Sequence, residues 1–130
     1  MDPEILAAAN GVSQVLAKLP PVAAVVFRPA DLSDAQLARY QPGALVEERG
    51  FLSCTLDPAR ITDGNTTFAI ASVGAKDVSP YSPRPGDAEV VFDRSTAFRV
   101  LEQRRDPDTG RIEILLEEVP RDRSAVLGPL

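Results

Sequence analysis

The sequence predicts an α+β fold built mainly on an antiparallel sheet. Helical patterns open the chain, and short β-branched or alternating runs follow, separated by turns rich in proline and glycine. The chain contains no repeated strand-helix-strand pattern and no glycine-rich strand-turn-helix, so a nucleotide bound here would lie outside a Rossmann fold. Its 130 residues, 44% hydrophobic and 25% charged, fit a single domain over 1–130.

Two helices are predicted before residue 41. The Asp-Pro-Glu at positions 2–4 forms a helix start, and the helix is expected to end before Pro20. Apolar residues between these points recur every three or four positions, giving a packing face of Ile5, Ala9, Val12, Leu16 and Leu19. The Ser-Asp-Ala-Gln at 33–36 matches a capping box and predicts a short helix running to Tyr40.

Strands are predicted over most of the remaining chain, at 22–27, 51–56, 66–73, 89–93, 97–102 and 111–119. A short segment at 44–48 is set off by turns on both sides. The first strand runs into Arg28, and Pro29 is expected to end it there. Arg28 would then lie at a strand terminus, where its guanidinium can face a cleft.

The strand at 51–56 alternates in character. Side chains of alternate residues share a face, so Ser53 and Thr55 are predicted to lie on one face and Cys54 on the other. With no histidine in the chain to activate a thiol, Cys54 is interpreted as a small core residue rather than a nucleophile.

Two carboxylates stand where a turn enters an apolar strand. Asp87 and Glu89 flank Ala88, immediately before Val-Val-Phe. Strand alternation predicts that both side chains point the same way and converge on one ligand. The alternative interpretation is that both acids are solvated turn residues.

Composition excludes several kinds of site. One cysteine and no histidine rule out an intrachain disulfide, Cys/His and Ser/His/Asp catalysis, and any histidine-containing metal site. The acids and amide at 57–65 lack the spacing of a calcium loop, so no metal is predicted. Acid, base or electrostatic catalysis must therefore use carboxylates, arginine, lysine, tyrosine or serine.

Charge and hydropathy limit the partners. A net charge of -5 argues against broad electrostatic binding of nucleic acid, although the arginines at 94–111 leave a local basic face possible. No apolar run is long enough to span a bilayer and the N-terminus is acidic, so the chain is expected to be soluble and not to bind membranes. The residues after Pro120 are interpreted as a polar tail.

Three motifs, taken in order, resemble the arginine-serine-glutamate class of mono-ADP-ribosyltransferases. They are Val-Val-Phe-Arg ending at Arg28, Gly-Phe-Leu-Ser-Cys-Thr-Leu containing Ser53, and Asp-Ala-Glu-Val-Val-Phe containing Glu89. The likeness covers most of the chain. It implies a split β-sandwich with NAD bound as substrate in its cleft, and it requires no metal.

The resemblance also implies a role for each residue of the site. Arg28 would bind NAD phosphate, and Arg60 is a further candidate phosphate contact. Ser53 would hydrogen-bond near the nicotinamide ribose and orient Glu89, with the Thr55 hydroxyl on the same face. Glu89 would accept a hydrogen bond from a ribose hydroxyl and stabilise an oxocarbenium-like transition state.

The chain departs from the family pattern at three positions. Pro29 replaces a common glycine, and Cys54 lies within a stretch that usually reads Ser-Thr-Ser. Asp87 stands where members that modify arginine carry glutamate. Its side chain is one methylene shorter but keeps the acid needed to position or deprotonate a guanidinium, so it is assigned a catalytic role and arginine is a candidate target residue.

By the same resemblance, the chain is the catalytic domain of a toxin or effector from a longer secreted bacterial protein, acting in the cytoplasm of a target cell. Its partners would be a macromolecular target, expected to be protein, and an immunity protein covering the cleft. Three alternatives remain open: NAD hydrolysis, a binding module of the same fold without turnover, and transfer to nucleic acid.

Overall fold

The computed structural model describes residues 2–120, which form two helices and seven strands. In chain order the elements are α1 (Pro3–Ala17), β1 (Pro21–Ala30), α2 (Asp34–Leu37), β2 (Leu45–Glu48), β3 (Leu52–Thr55), β4 (Thr66–Asp77), β5 (Glu89–Phe92), β6 (Thr96–Arg105) and β7 (Ile112–Val119). Single 3-10 turns occupy Pro58–Arg60, Ser79–Tyr81 and Pro85–Asp87. The polar tail predicted after Pro120 lies outside the described residues.

The strands pair in the order β1-β3-β5-β4-β7-β6-β2, and β1 also pairs with β4. Every pairing is antiparallel except that between β4 and β7. The predicted α+β fold, with a largely antiparallel sheet and helices near the N-terminus, is confirmed. The extra β1–β4 pairing closes β1, β3, β5 and β4 into a ring, while β7, followed by β6 and β2, continues the sheet from the first half of β4.

Strand β4 joins these two parts because it is long and changes partners along its length. Its first half pairs with β7, and its last residues pair with β5. The sequence predicted an end at Val73, which is wrong, since the strand continues through Gly74 to Asp77. At the change of partners, one oxygen of Glu118 accepts hydrogen bonds from the N–H groups of Val73 and Gly74, both at 2.7 Å. This carboxylate replaces the ladder bonds that the backbone loses there.

The core lies between the two parts of the sheet. Val26, Ile70, Val90 and Ile114 are each fully buried. Phe92 and Phe98 meet edge to face, with ring centroids 5.0 Å apart. The alternating apolar positions of β1, β4, β5, β6 and β7 therefore converge on one core.

Helix α1 forms as predicted, but less of its apolar face is buried than predicted. Asp2 caps it by accepting a hydrogen bond from the Glu4 N–H at 2.8 Å. Of the predicted packing face only Leu16 is buried, while Ile5 is 59% and Val12 45% exposed. The periodicity identified the helix correctly, but it did not show that only the C-terminal half reaches the sheet.

Strand β1 does not end at Arg28, so that prediction is wrong. The strand continues through Pro29, which pairs with Thr67, to Ala30. Proline is tolerated because β3, the neighbour on the other side, pairs with β1 only at Phe27, so no further ladder bond is needed there. Arg28 nevertheless reaches a cleft. It lies two residues after Val26, on the same inner face of β1, but beyond the edge of the core.

The capping box at 33–36 is confirmed. Ser33 and Gln36 exchange hydrogen bonds between each side chain and the other's backbone N–H. The regular helix is shorter than predicted, ending at Leu37, and the chain continues through turns to Tyr40. Tyr40 packs edge to face on Phe68, with centroids 5.1 Å apart, and burial raises its pKa.

Candidate active site

A cleft of about 420 Å³ opens where β1, β3 and the turn before β5 meet. The sequence-predicted site residues all line it: Arg28, Ser53, Thr55, Arg60, Asp87 and Glu89. They come from four separate segments of the chain. The pairing of β3 with both β1 and β5 is what brings them together.

Strand pairing places the serine against the glutamate. In the β3–β5 ladder Thr55 lies opposite Glu89 and Ser53 lies opposite Val91, so Ser53 and Glu89 are diagonal neighbours on one face. The Ser53 hydroxyl donates a hydrogen bond to Oε2 of Glu89. Val90, next along β5, is completely buried and fixes the strand that carries the carboxylate.

Arg28 is fixed against the same strand. Its Nη1 donates a hydrogen bond to the backbone carbonyl of Ser53 at 2.8 Å. This contact uses one edge of the guanidinium, and the group still lines the cleft. Arg28, Ser53 and Glu89 thus form a continuous chain of contacts across β1, β3 and β5.

A second cavity, of about 280 Å³, adjoins the first, and Arg28 lines both. Its remaining wall combines an apolar floor with charged side chains, and includes Arg39, Tyr40, Glu47, Glu48, Phe51 and Phe68. No pattern in the sequence predicted this cavity. The predicted strand at 51–56 included Phe51, but this residue precedes β3, so strand alternation does not apply to it.

Asp87 and Glu89 share the cleft, but strand alternation is not the reason. Asp87 closes the 3-10 turn Pro85–Asp87, and β5 begins only at Glu89. Between them Ala88 adopts a left-handed conformation, with φ at 50°. The prediction that both carboxylates face one site holds, whereas the predicted extended backbone is wrong.

Arg60 links two loops at the rim of the cleft. Its Nη2 donates a hydrogen bond to the carbonyl of Gly86 at 3.0 Å, and its Nη1 lies 3.6 Å from Oδ1 of Asp87. Its Nε lies 3.7 Å from Oδ2 of Asp57. In this structure the guanidinium is therefore bound to the turn that carries Asp87.

The Thr55 hydroxyl also connects the two loops. It donates to the carbonyl of Asp87 at 2.6 Å and accepts from the N–H of Asp57 at 3.1 Å. Thr55 lies in the cleft as predicted. Its hydroxyl serves to hold the loops, a role that the sequence did not indicate because both partners are backbone groups.

Cys54 faces away from the cleft side chains of β3 and is 5% exposed. Burial raises the pKa of its thiol from 9.0 to about 12, partly opposed by the nearby Arg28. The thiol is therefore protonated at physiological pH. The prediction that Cys54 is a core residue is confirmed.

The loop that carries Arg60 is anchored at its far end. Asn65 exchanges hydrogen bonds with both backbone groups of Leu32, each at 3.0 Å. Arg111 donates to carbonyls of this loop, including that of Asp63 at 2.6 Å. Within residues 2–120, no three metal-ligating side chains gather into a group that could hold an ion.

Two curated relatives match by sequence. The chain is 33% identical over 113 residues to Mav of Mycobacterium avium (strain 104), which is named as an NAD(+)–arginine ADP-ribosyltransferase. It is 30% identical over 122 residues to the NAD(+)–protein-arginine ADP-ribosyltransferase Tre1 of Pseudomonas putida (strain GB-1). These alignments cover 84% and 92% of this chain but only 14% and 24% of the relatives. No family model matches the chain.

Solved structures share the fold. The type III effector XopAI of Xanthomonas axonopodis pv. citri superposes with a TM-score of 0.75 at 23% identity, covering 86% of this chain and 52% of that one. Exoenzyme S of Pseudomonas aeruginosa, solved with human 14-3-3 protein beta and carba-NAD, gives 0.72 at 24% identity, covering 100% and 63%. The ADP-ribosyltransferase HopU1 of Pseudomonas syringae pv. Tomato DC3000 also shares the fold, with a TM-score of 0.70 at 19% identity, covering 82% of this chain and 50% of that one.

None of the described helices has the length and apolar character needed to cross a membrane.

Three observations agree on the kind of protein: the order of the Arg, Ser and Glu motifs, the meeting of these residues in one cleft, and the similarity to the named relatives. The chain is homologous over most of its length to proteins named as arginine ADP-ribosyltransferases, and it shares the fold of the solved structures above.

Proposed function

We propose that this chain is a mono-ADP-ribosyltransferase that breaks the nicotinamide–ribose bond of NAD and transfers ADP-ribose to an arginine of a protein target. The observation that carries the proposal is the contact chain from Arg28 through Ser53 to Glu89. It combines a permanent cation with an oriented carboxylate in one cleft, and it needs neither histidine nor metal.

The cleft suits the chemistry of NAD as substrate. Guanidinium groups bind phosphate oxygens through two parallel hydrogen bonds, and Arg28 lies at the junction of the two cavities. A dinucleotide can extend from one cavity into the other past this arginine. Cavities of such size, with an apolar floor and a few polar side chains, are typical of small-molecule sites.

Glu89 is assigned the central role. As the bond between C1′ and the nicotinamide nitrogen breaks, its electron pair returns to the pyridine ring and positive charge develops on the ribose. A carboxylate held beside the ribose stabilises that charge without having to reorganise. The hydrogen bond from Ser53 leaves the other oxygen of Glu89 for a ribose hydroxyl.

Asp87 is assigned to the acceptor. A guanidinium nitrogen must attack C1′ and lose a proton, and a carboxylate two residues from Glu89 can orient that group and take the proton. Both relatives carry the name of an arginine ADP-ribosyltransferase, which supports arginine as the residue modified.

We infer that the domain acts as part of a longer bacterial effector delivered into a target cell, because its relatives are several times longer than the region that matches it. An immunity protein that covers the cleft would be its natural antagonist. Transfer to nucleic acid is less favoured, since the chain carries a net charge of -5.

The proposal is tested by incubating the purified chain with labelled NAD and cell lysate, and measuring free nicotinamide and label on macromolecules. Protein-bound label removed by protease and resistant to nuclease is the expected result. Glu89→Gln should lower both transfer and nicotinamide release by about 10²-fold or more. Glu102→Gln, an exposed glutamate on β6, is the matched control and should retain activity.

Other outcomes separate the alternatives. Nicotinamide release without label transfer would assign the chain as an NAD hydrolase. Label resistant to protease and released by nuclease would assign nucleic acid as the target. A folded chain that consumes no NAD would overturn the catalytic proposal in favour of a binding module.

A further inference from the structure

Arg60 holds a position that the proposed reaction assigns to a different guanidinium. Its Nη1 lies 3.6 Å from Oδ1 of Asp87, the carboxylate assigned to the acceptor arginine. Its Nη2 also bonds to Gly86, in the turn that carries Asp87. The chain's own guanidinium thus lies where a guanidinium from the target would be expected.

We propose that Arg60 is exchanged between Asp87 and the NAD pyrophosphate, so that binding of NAD frees Asp87 for the acceptor. This inference rests on the proposed function. It assigns to Arg60 a role in linking the two substrates, in addition to any contact with phosphate.

The contacts that hold Arg60 are weak enough to exchange. Its ion pairs with Asp57 and Asp87 are 3.7 and 3.6 Å long, its 3.0 Å hydrogen bond to the Gly86 carbonyl is exposed to water, and its side chain is 51% exposed. Exposed ion pairs of this kind are readily replaced because water screens them. A bidentate contact with phosphate oxygens is shorter and stronger, so NAD can compete for the guanidinium.

The geometry allows the exchange without movement of the framework. Arg60, Arg28 and Glu89 line the same cleft, so a ligand lying on Arg28 is within the space that Arg60 faces. The backbone around Arg60 stays fixed by the 3-10 turn Pro58–Arg60. Only the side chain needs to change rotamer.

The exchange predicts positive coupling between NAD and a guanidinium compound. Arg60 opposes acceptor binding while it lies on Asp87, and an acceptor on Asp87 releases Arg60 for NAD. By linkage, each substrate should strengthen the binding of the other by the same factor. Since exposed pairs are weak, we expect a factor of about three to five.

The experiment measures the Kd of NAD for the Glu89→Gln chain, in which turnover is suppressed, by titration calorimetry. Saturating agmatine, a small guanidinium compound, should lower this Kd by about three- to fivefold. Putrescine, with the same carbon chain but an amine in place of the guanidinium, is the matched ligand control and should have a smaller effect. In Glu89→Gln/Arg60→Ala the Kd should rise and agmatine should no longer change it.

A second double variant tests the other partner of the Arg60–Asp87 ion pair. In Glu89→Gln/Asp87→Asn the carboxylate partner of Arg60 is removed, so NAD should bind more tightly without agmatine, and agmatine should add nothing. Arg99→Ala in the Glu89→Gln chain removes an arginine that lines neither cavity, and it should keep the coupling.

The outcomes distinguish this inference from the proposed function. Normal binding of NAD with no effect of agmatine, or an agmatine effect that persists in Glu89→Gln/Arg60→Ala, overturns the exchange alone. A folded chain that does not bind NAD overturns both.

Discussion

The two carboxylates of the cleft, Glu89 and Asp87, are held in different ways. Glu89 begins β5, whose pairing with β3 and buried Val90 fix its backbone, and Ser53 fixes its side chain. Asp87 lies in a 3-10 turn, and its carboxylate contacts an exposed arginine across 3.6 Å. One half of the site is held by strands and the other half by loops.

This difference matches the two chemical tasks proposed for the site. Stabilising a developing charge requires a group that does not have to reorganise, and a strand ladder provides it. Receiving a protein side chain requires a group that can exchange partners, and a loop provides that. The comparison predicts that changes in the loop-held half alter transfer more than cleavage of NAD.

Within the loop-held half of the site, the largest effect is expected from Asp87→Asn. Removing this charge should lower transfer to an arginine acceptor by about 10- to 100-fold, because the guanidinium loses its orienting carboxylate. Release of nicotinamide to water should fall less. Both rates can be measured with labelled NAD and agmatine.

The matched control for this variant is Asp57→Asn. Asp57 also contacts Arg60, at 3.7 Å, but it does not line the cleft. Equal losses in transfer and nicotinamide release for Asp87→Asn would contradict the division of the site into two halves.

A smaller effect is expected from Thr55→Val, which removes the hydroxyl joining the two loops. Losing the hydrogen bonds to Asp87 and Asp57 should lower the free energy of unfolding by about 1–2 kcal/mol. Transfer should fall several-fold, and nicotinamide release less. Urea unfolding and the two rates provide the measurements.

Thr55→Ser keeps the hydroxyl and should retain most of the stability and activity. If Thr55→Val left transfer unchanged, the loops would be shown to hold their positions without this residue.

The smallest effect concerns Cys54, whose buried thiol reports on the strand-held half. With its pKa raised to about 12, the thiol should react slowly with a disulfide reagent at pH 8 in the folded chain and rapidly in urea. Fast labelling of the folded chain would show that β3 opens readily and that this half is not rigid.

The raised pKa of the Cys54 thiol determines whether this group's contribution to stability rises or falls with pH. The folded state keeps its thiol proton up to about pH 12, whereas the unfolded thiol loses its proton near pH 9.0. The unfolded state therefore binds fewer protons between these values, and the Cys54 contribution to stability decreases as pH rises through this window. Cys54→Ala should remove that part of the dependence.

Much of the site could be predicted from local patterns. The alternation in 51–56 placed Ser53 and Thr55 together and Cys54 in the core. The absence of histidine excluded most other catalytic groups. The order of the Arg, Ser and Glu motifs indicated the family before any distance was known.

Some features depended on contacts that are distant in sequence. Proline at 29 indicated the end of a strand, but β1 continues because its β3 neighbour makes no further pairing there. The strand predicted at 66–73 was expected to end at Val73, but β4 continues because an oxygen of Glu118 accepts from the N–H groups of Val73 and Gly74. Neither partner can be recognised from the local sequence.

By itself the sequence determined the residue types of the chemistry, the helix starts and the alternating faces, because these follow from side-chain chemistry and backbone periodicity. Only the tertiary structure decided that Arg28 joins two cavities, that Arg60 lies on Asp87, and that Ala88 turns the backbone between the two acids. Those arrangements depend on which strands pair and where loops meet, and such pairings are set by packing of the whole core.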